Sequence, residues 1–158
     1  MTRTKRFWRV LAIAAVMVPA LGLAAPAQAA DPPPEVRFVA TSVIVRPNAR
    51  NVAYVTGSYR CYGGQPIHLW VSVKQGGPDP TAEGSGATST AWYDTNAIEP
   101  PPVICDGQWH AVFVPVGRHF NKGQLQAGAA WVQFCLVAPG GDFGIVASNS
   151  KWVNVVGV

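Results

Sequence analysis

The segment 67–74, with the sequence IHLWVSVK, alternates strictly between two kinds of side chain and constrains the fold more than any other part of the chain. Because successive side chains of a β-strand point to opposite faces, a period of two places one set in a core and the other on a mixed, partly solvated face. The core set is Ile67, Leu69, Val71 and Val73, and the outer set is His68, Trp70, Ser72 and Lys74. After residue 35 no helical period occurs, and short runs rich in Val, Thr, Trp and Phe are separated by Gly, Pro, Asn and Asp. This pattern predicts an all-β protein.

The spacing of these runs predicts seven strands and the way they pack. The predicted strands are 36–46, 51–61, 66–74, 85–93, 108–116, 126–137 and 150–156. Seven antiparallel strands joined by Gly- and Pro-rich turns fit an immunoglobulin-like antiparallel β-sandwich. We therefore expect a single β-sandwich domain over 36–158, preceded by a Pro-rich lead-in at 30–35.

The first 29 residues have the layout of a secretory signal peptide. The segment 10–23 is an apolar run of fourteen residues, and Ala27 and Ala29 form a small-x-small cleavage site. The basic residues that precede the apolar run are Arg3, Lys5, Arg6 and Arg9. The run is too short to cross about 30 Å of hydrocarbon, which disfavours a membrane anchor. We expect cleavage after Ala29, with Ala30 as the alternative, a secreted or cell-envelope location, and no membrane span in the mature chain.

Removal of this segment changes the charge balance of the chain. The full sequence holds 12 basic and 8 acidic residues, a net charge of +4, and four of the basic residues lie in segment 1–29. The mature chain is therefore close to neutral. A neutral surface gives no indication of a nucleic-acid partner, and we predict none.

Three cysteines, Cys61, Cys105 and Cys135, lie in the mature chain, where export favours one disulfide and one remaining thiol. In the predicted sandwich the end of the second strand lies beside the start of the fifth, which favours Cys61–Cys105. The inter-sheet bond Cys61–Cys135 stays open as an alternative, because chain entropy differs little between the two loops, at about 4 and about 4.5 kcal/mol. With the first pairing, Cys135 is either a free thiol or forms an intermolecular bond that links a dimer.

Three short motifs carry a resemblance to a known family. They are YRCYGG at 59–64, Cys105-Asp106-Gly107, and Gly128-Ala129-Ala130 at the start of a late strand. Over about residues 52–137 the chain is similar to small exported actinobacterial proteins of the DUF6299-like domain of unknown function. The resemblance implies a secreted β-sandwich with a disulfide between Cys61 and Cys105, and it implies no enzyme activity. Cys135 lies outside the family pattern.

The reactive side chains form no catalytic or metal-binding motif. The histidines, His68, His110 and His119, show none of the close spacings typical of zinc ligands. The acidic residues are scattered through predicted loops, and no serine has the Gly-x-Ser-x-Gly setting of a hydrolase nucleophile. We expect no metal and no cofactor.

Tryptophans are unusually frequent in the mature chain: Trp70, Trp92, Trp109, Trp131 and Trp152. Most should lie in the core, but Trp70 shares the mixed face of its strand with His68, and the two form a candidate binding patch. We therefore expect a non-enzymatic binding or structural module with an unknown envelope ligand or protein partner. The alternatives are a hydrolase with a site assembled from histidines and loop acids, and a carbohydrate-binding module that uses an exposed tryptophan.

Overall fold

The computed structural model describes residues 30–63, 67–139 and 144–157. The predicted signal peptide lies outside the described residues. The described residues form seven strands: β1 (Glu35–Val45), β2 (Val52–Arg60), β3 (His68–Gln75), β4 (Ala91–Asp94), β5 (His110–Arg118), β6 (Gly128–Val137) and β7 (Ile145–Val156). The prediction of an all-β protein is confirmed. In the part of the chain that the structure describes, no helix is long and apolar enough to cross a membrane.

Two strands differ from their predicted bounds by more than two residues. The fourth was predicted at 85–93, but residues 85–90 form turns and only Ala91–Asp94 pair. The short side chains of this stretch, including Gly86, let it fold back over the barrel instead of extending the sheet. The seventh strand begins at Ile145, earlier than the predicted residue 150.

The seven strands form one closed barrel in the order β1-β2-β5-β4-β3-β6-β7. Neighbours are antiparallel except at the seam, where β7 runs parallel to β1 and Val43 pairs with Val155. The predicted immunoglobulin-like sandwich is therefore wrong. The long β7 pairs with β6 along its length and reaches β1 near its C-terminal end, while the short β4 bridges β5 and β3. The sequence pattern missed this closure because a sandwich and a barrel both bury every second residue.

Side chains fill the barrel interior, as expected for a small barrel. The largest fully buried ones are Tyr59, Tyr93, Phe134, Leu69 and Leu136, accompanied by valines from every long strand. Gly57 of β2 faces the ring of Phe134, and a Cβ atom at this position would lie 2.5 Å from that ring. The close approach of β2 to Phe134 therefore requires glycine.

The barrel has two different ends. At the end that we call the loop end lie the β1–β2, β3–β4 and β5–β6 connections, at 46–51, 76–90 and 119–127. At the opposite end, the disulfide end, Cys61 is bonded to Cys105. This confirms the favoured pairing and rules out Cys61–Cys135. The register of β2 with β5 explains it, since Tyr59 pairs with His110 and brings the end of β2 beside the start of β5.

Candidate functional site

The outer face of β4, β3, β6 and β7 carries most of the tryptophans, and we call it the tryptophan wall. The strand registers place its outward side chains in rows that run across the strands. The first row is Trp92, Lys74, Trp131 and Trp152; the second is Asp94, Ser72, Gln133 and Ser150; the third is Trp70, Cys135 and Ser148. A row of polar side chains therefore lies between two rows that contain indoles.

The indoles of the first row differ in accessibility. Trp152 is 51% exposed and meets Trp131 edge to face, with ring centroids 5.6 Å apart. Trp92 is enclosed, because His119 stacks on its ring at 3.6 Å and a Cβ atom at Gly86 would lie 2.5 Å from it. Trp152 is therefore the indole of this row that can offer a face to another molecule.

Several polar atoms of the wall are buried without a hydrogen-bond partner. Among the described residues these atoms include Ser72 Oγ, Gln133 Oε1, Trp92 Nε1 and Trp131 Nε1. A buried polar group left without a partner costs about 1–3 kcal/mol, so such groups are rare unless water, an ion or a ligand satisfies them. The wall thus holds buried polar groups without partners behind its exposed indole.

The β3–β4 connection is fastened over one part of the wall by Lys74. The Lys74 Nζ donates to Ser85 Oγ at 2.9 Å, and that hydroxyl donates to the carbonyl of Pro80 at 2.8 Å. Burial lowers the pKa of Lys74. Because the Ser85 proton is directed at a carbonyl and both side chains are buried, this Ser–Lys contact holds the loop and does not activate a nucleophile.

Cys135 is a free, buried thiol in the third row, between Trp70 and Ser148. Burial raises its pKa to about 11, and the nearby Lys74 opposes the shift. A thiol in this state is a poor nucleophile at neutral pH. An intermolecular bond through Cys135 requires the wall to open locally.

The three histidines make three separate sets of contacts. His110 Nε2 lies 2.8 Å from Asp106 Oδ1, and this contact lowers the pKa of Asp106. His119 Nε2 lies 2.7 Å from Oδ2 of the buried Asp94, within ion-pair distance but outside the angles of a directed hydrogen bond. His68 is exposed and lines a groove of about 590 Å³ that also contains residues 95–100.

These contacts bear on the predicted hydrolase site. Among the described residues, neither histidine–carboxylate pair has a serine or cysteine side chain hydrogen-bonded to the imidazole ring. Over the same residues, no group of three or more His, Cys, Asp or Glu side chains is placed to hold a metal ion. The geometry therefore offers two oriented histidines without an adjacent nucleophile.

The predicted patch of His68 and Trp70 lies on the outer face of β3, as the alternation indicated. Trp70 is half-buried, whereas His68 is exposed. The better-exposed indole is Trp152, which sequence reasoning did not single out. The same period of two, applied to segment 148–154, places Trp152 on one face with Ser148, Ser150 and Asn154, and this signal could have identified it.

No protein-family model and no curated protein matches the chain. The resemblance to the DUF6299-like group therefore stays a prediction. A function for this chain has to be argued from the chemistry of its own surfaces.

Proposed function

We propose that this chain is an exported, non-enzymatic binding module whose tryptophan wall takes a ligand of the carbohydrate class. The observation that carries the proposal is the position of Trp152. Its exposed indole stands against Trp131 and beside a polar row in which Gln133 Oε1 lacks a partner.

A sugar ring matches this combination of groups. Its C–H faces are apolar and pack on an indole, while its hydroxyls project from the ring edge and need donors and acceptors. Trp152 offers the indole, and the partly exposed Ser150 lies two residues before it on the same face of β7. The unpartnered Gln133 Oε1 and Trp131 Nε1 are buried, so they reach a sugar hydroxyl only when their side chains shift. Ligand sites commonly join an apolar surface to a few fixed polar groups, and this wall has both.

Export is supported by two independent features. The first is the layout of residues 1–29, which is typical of a secretory signal peptide. The second is the Cys61–Cys105 bond, which suits an oxidising compartment outside the cytoplasm. The family resemblance, which implies no enzyme activity, agrees with a binding role.

The proposal is tested by titrating the mature protein with soluble oligosaccharides, neutral and N-acetylated, while tryptophan fluorescence is recorded. We expect a saturable change with at least one of them, and Trp152→Ala should weaken that binding at least tenfold because the stacking face is lost. The matched control is Phe113→Ala on β5, since Phe113 is 48% exposed but lies outside the wall.

The two variants separate specific binding from a general loss of exposed aromatic surface. Equal weakening by Phe113→Ala and Trp152→Ala would contradict a site on the wall. The absence of a saturable response to every oligosaccharide would contradict the carbohydrate class itself. Thermal unfolding of both variants checks that neither substitution has disturbed the barrel.

A further inference from the structure

A second concave surface lies at the loop end and carries a different chemistry from the wall. This loop-end cleft has a volume of about 480 Å³ and is lined by Asn51, Arg118, His119, Phe120, Asn121 and Lys122. Its lining combines basic side chains, two amides and one aromatic ring, and contains no carboxylate. Such a surface attracts negative charge.

Backbone hydrogen bonds to the β1–β2 connection and to β4 hold the cleft in shape. The backbone N–H of Arg118 donates to the carbonyl of Asn51 at 2.8 Å, and that of His119 donates to the carbonyl of Trp92 at 2.9 Å. Asn121 has a φ of 64°, in the left-handed region that asparagine tolerates better than most residues. The cleft is therefore preorganised, which reduces the entropy lost when a ligand binds.

The cationic groups of the cleft keep donors available. Within the described residues the Arg118 guanidinium uses Nη1 to donate to the carbonyl of Lys122 at 3.1 Å, which leaves Nε and Nη2. The Lys122 ammonium donates to the carbonyls of Ala87 and Ser89, and an ammonium has a third N–H. The buried Asp94 contacts the imidazole of His119, and its carboxylate does not line the cleft.

Phe120 stands at the edge of this basic cleft with 91% of its surface exposed. The barrel gains no packing from a ring that is exposed to this degree, whereas an exposed aromatic beside a charged cleft is a common anchor for binding. A ligand with an anionic group and an apolar or ring-shaped part would contact the cations and Phe120 together.

We infer that the loop-end cleft binds an anionic group, a carboxylate, sulfate or phosphate, through Arg118 and Lys122, and that Phe120 contacts the attached apolar part. An arginine with two adjacent nitrogens available can bind two oxygens of one anion. This inference does not depend on the carbohydrate proposal, because Trp152 does not line the cleft.

The test uses benzoate, acetate, sulfate and inorganic phosphate as probes, followed by amide chemical shifts in NMR spectra of the mature protein. We expect saturable shifts confined to residues 51 and 118–122, with benzoate binding more tightly than acetate. Arg118→Gln should weaken all four probes at least tenfold. Phe120→Ala should reduce the affinity for benzoate to that for acetate and leave sulfate unchanged.

The charge-matched control is Arg37→Gln, because Arg37 is exposed and lies at the disulfide end, 4.3 Å from the ring of Trp109. Equal weakening by Arg37→Gln, or shifts that do not saturate, would overturn the inference. Vesicles with and without anionic phospholipid distinguish a lipid headgroup from a free anion. Binding to anionic vesicles without any response to the four free anions would overturn a cleft site and indicate a membrane surface.

Discussion

Two buried tyrosines, Tyr59 and Tyr93, point along the barrel interior toward opposite ends, and each hydroxyl is used differently. At the disulfide end, Tyr59 Oη accepts the backbone N–H of Ile104 at 3.0 Å. At the loop end, the Tyr93 hydroxyl donates to the carbonyl of Arg50. The same residue type therefore holds an irregular segment at one end and a tight connection at the other.

The difference between the ends follows from where β4 stops. After Asp94 the chain runs through segment 95–109, which contains a short 3₁₀ turn but no strand, before β5 begins. No strand ladder holds this segment. Two other contacts hold it instead: the Cys61–Cys105 bond, and a hydrogen bond in which the Gly107 N–H donates to the carbonyl of Cys61 at 2.8 Å. At the loop end the strands pair nearly to their ends, and hydrogen bonds between connections suffice.

The largest expected effect tests whether the disulfide end depends on its covalent bond. The double variant Cys61→Ala/Cys105→Ala should lose about 4 kcal/mol of unfolding free energy, because the bond closes a loop with a sequence separation of 44. Urea unfolding measures the loss. A loss near 1 kcal/mol, similar to that of one hydrogen bond, would show that the two ends are held equally firmly.

A smaller effect is expected in the wall between the two ends, where Cys135 is buried. Its folded pKa of about 11 exceeds the ordinary value of 9.0, so above pH 9 the unfolded chain releases a proton that the folded chain retains. Stability should therefore fall between pH 9 and pH 11, by up to about 3 kcal/mol for a two-unit shift.

Comparison of the wild type with Cys135→Ala isolates this contribution. Two other basic-range groups have shifted pKa values: burial lowers the pKa of Lys74, whose effect on stability has the opposite sign, and burial raises the pKa of Tyr93. The variant should lack the part of the slope that belongs to the thiol. Identical pH profiles for the two proteins would show that the thiol ionises as freely in the folded state as in the unfolded state.

The smallest effects come from the two tyrosine hydroxyls. Tyr59→Phe and Tyr93→Phe should each cost about 1 kcal/mol, the usual net value of one hydrogen bond. In a double-mutant cycle with the disulfide variant, Tyr59→Phe should be non-additive because it acts on the same segment as the bond, whereas Tyr93→Phe should be additive. Additivity for Tyr59→Phe and non-additivity for Tyr93→Phe would show that the disulfide is coupled to the loop end instead.

The sequence was sufficient to predict the all-β class, most of the strands and the favoured disulfide, but not the bounds of β4 and β7 or how the sheet closes. Alternation within 67–74 correctly separated Leu69 and Val71 from the outer set, because that pattern is local. The barrel depends on the pairing of β1 with β7, and the paired residues lie more than a hundred positions apart in the sequence. No local pattern encodes that contact. A barrel and a sandwich both bury every second residue of a strand, so the alternation does not distinguish them.

The same limit applies to the candidate site. Period two predicts that Trp131 and Gln133 share a face of β6, but only the order of strands reveals that Trp152 and Ser150 stand next to them. The sequence therefore placed the patch of His68 and Trp70 on the correct face of β3. It did not reveal which side chains of the neighbouring strands lie beside this patch. The loop-end cleft had no signal of its own, because the exposure of Phe120 follows from the packing of three connections.

The seam between β1 and β7 also has a kinetic consequence. The first strand of the sheet obtains its second neighbour only when the final strand arrives, so a growing chain that lacks residues 145–156 keeps an open edge on β1 and another on β6. Contacts between such distant residues slow folding, and unpaired edges attract other chains in the meantime. Completion of the barrel therefore waits for β7, which must be present before the sheet can close.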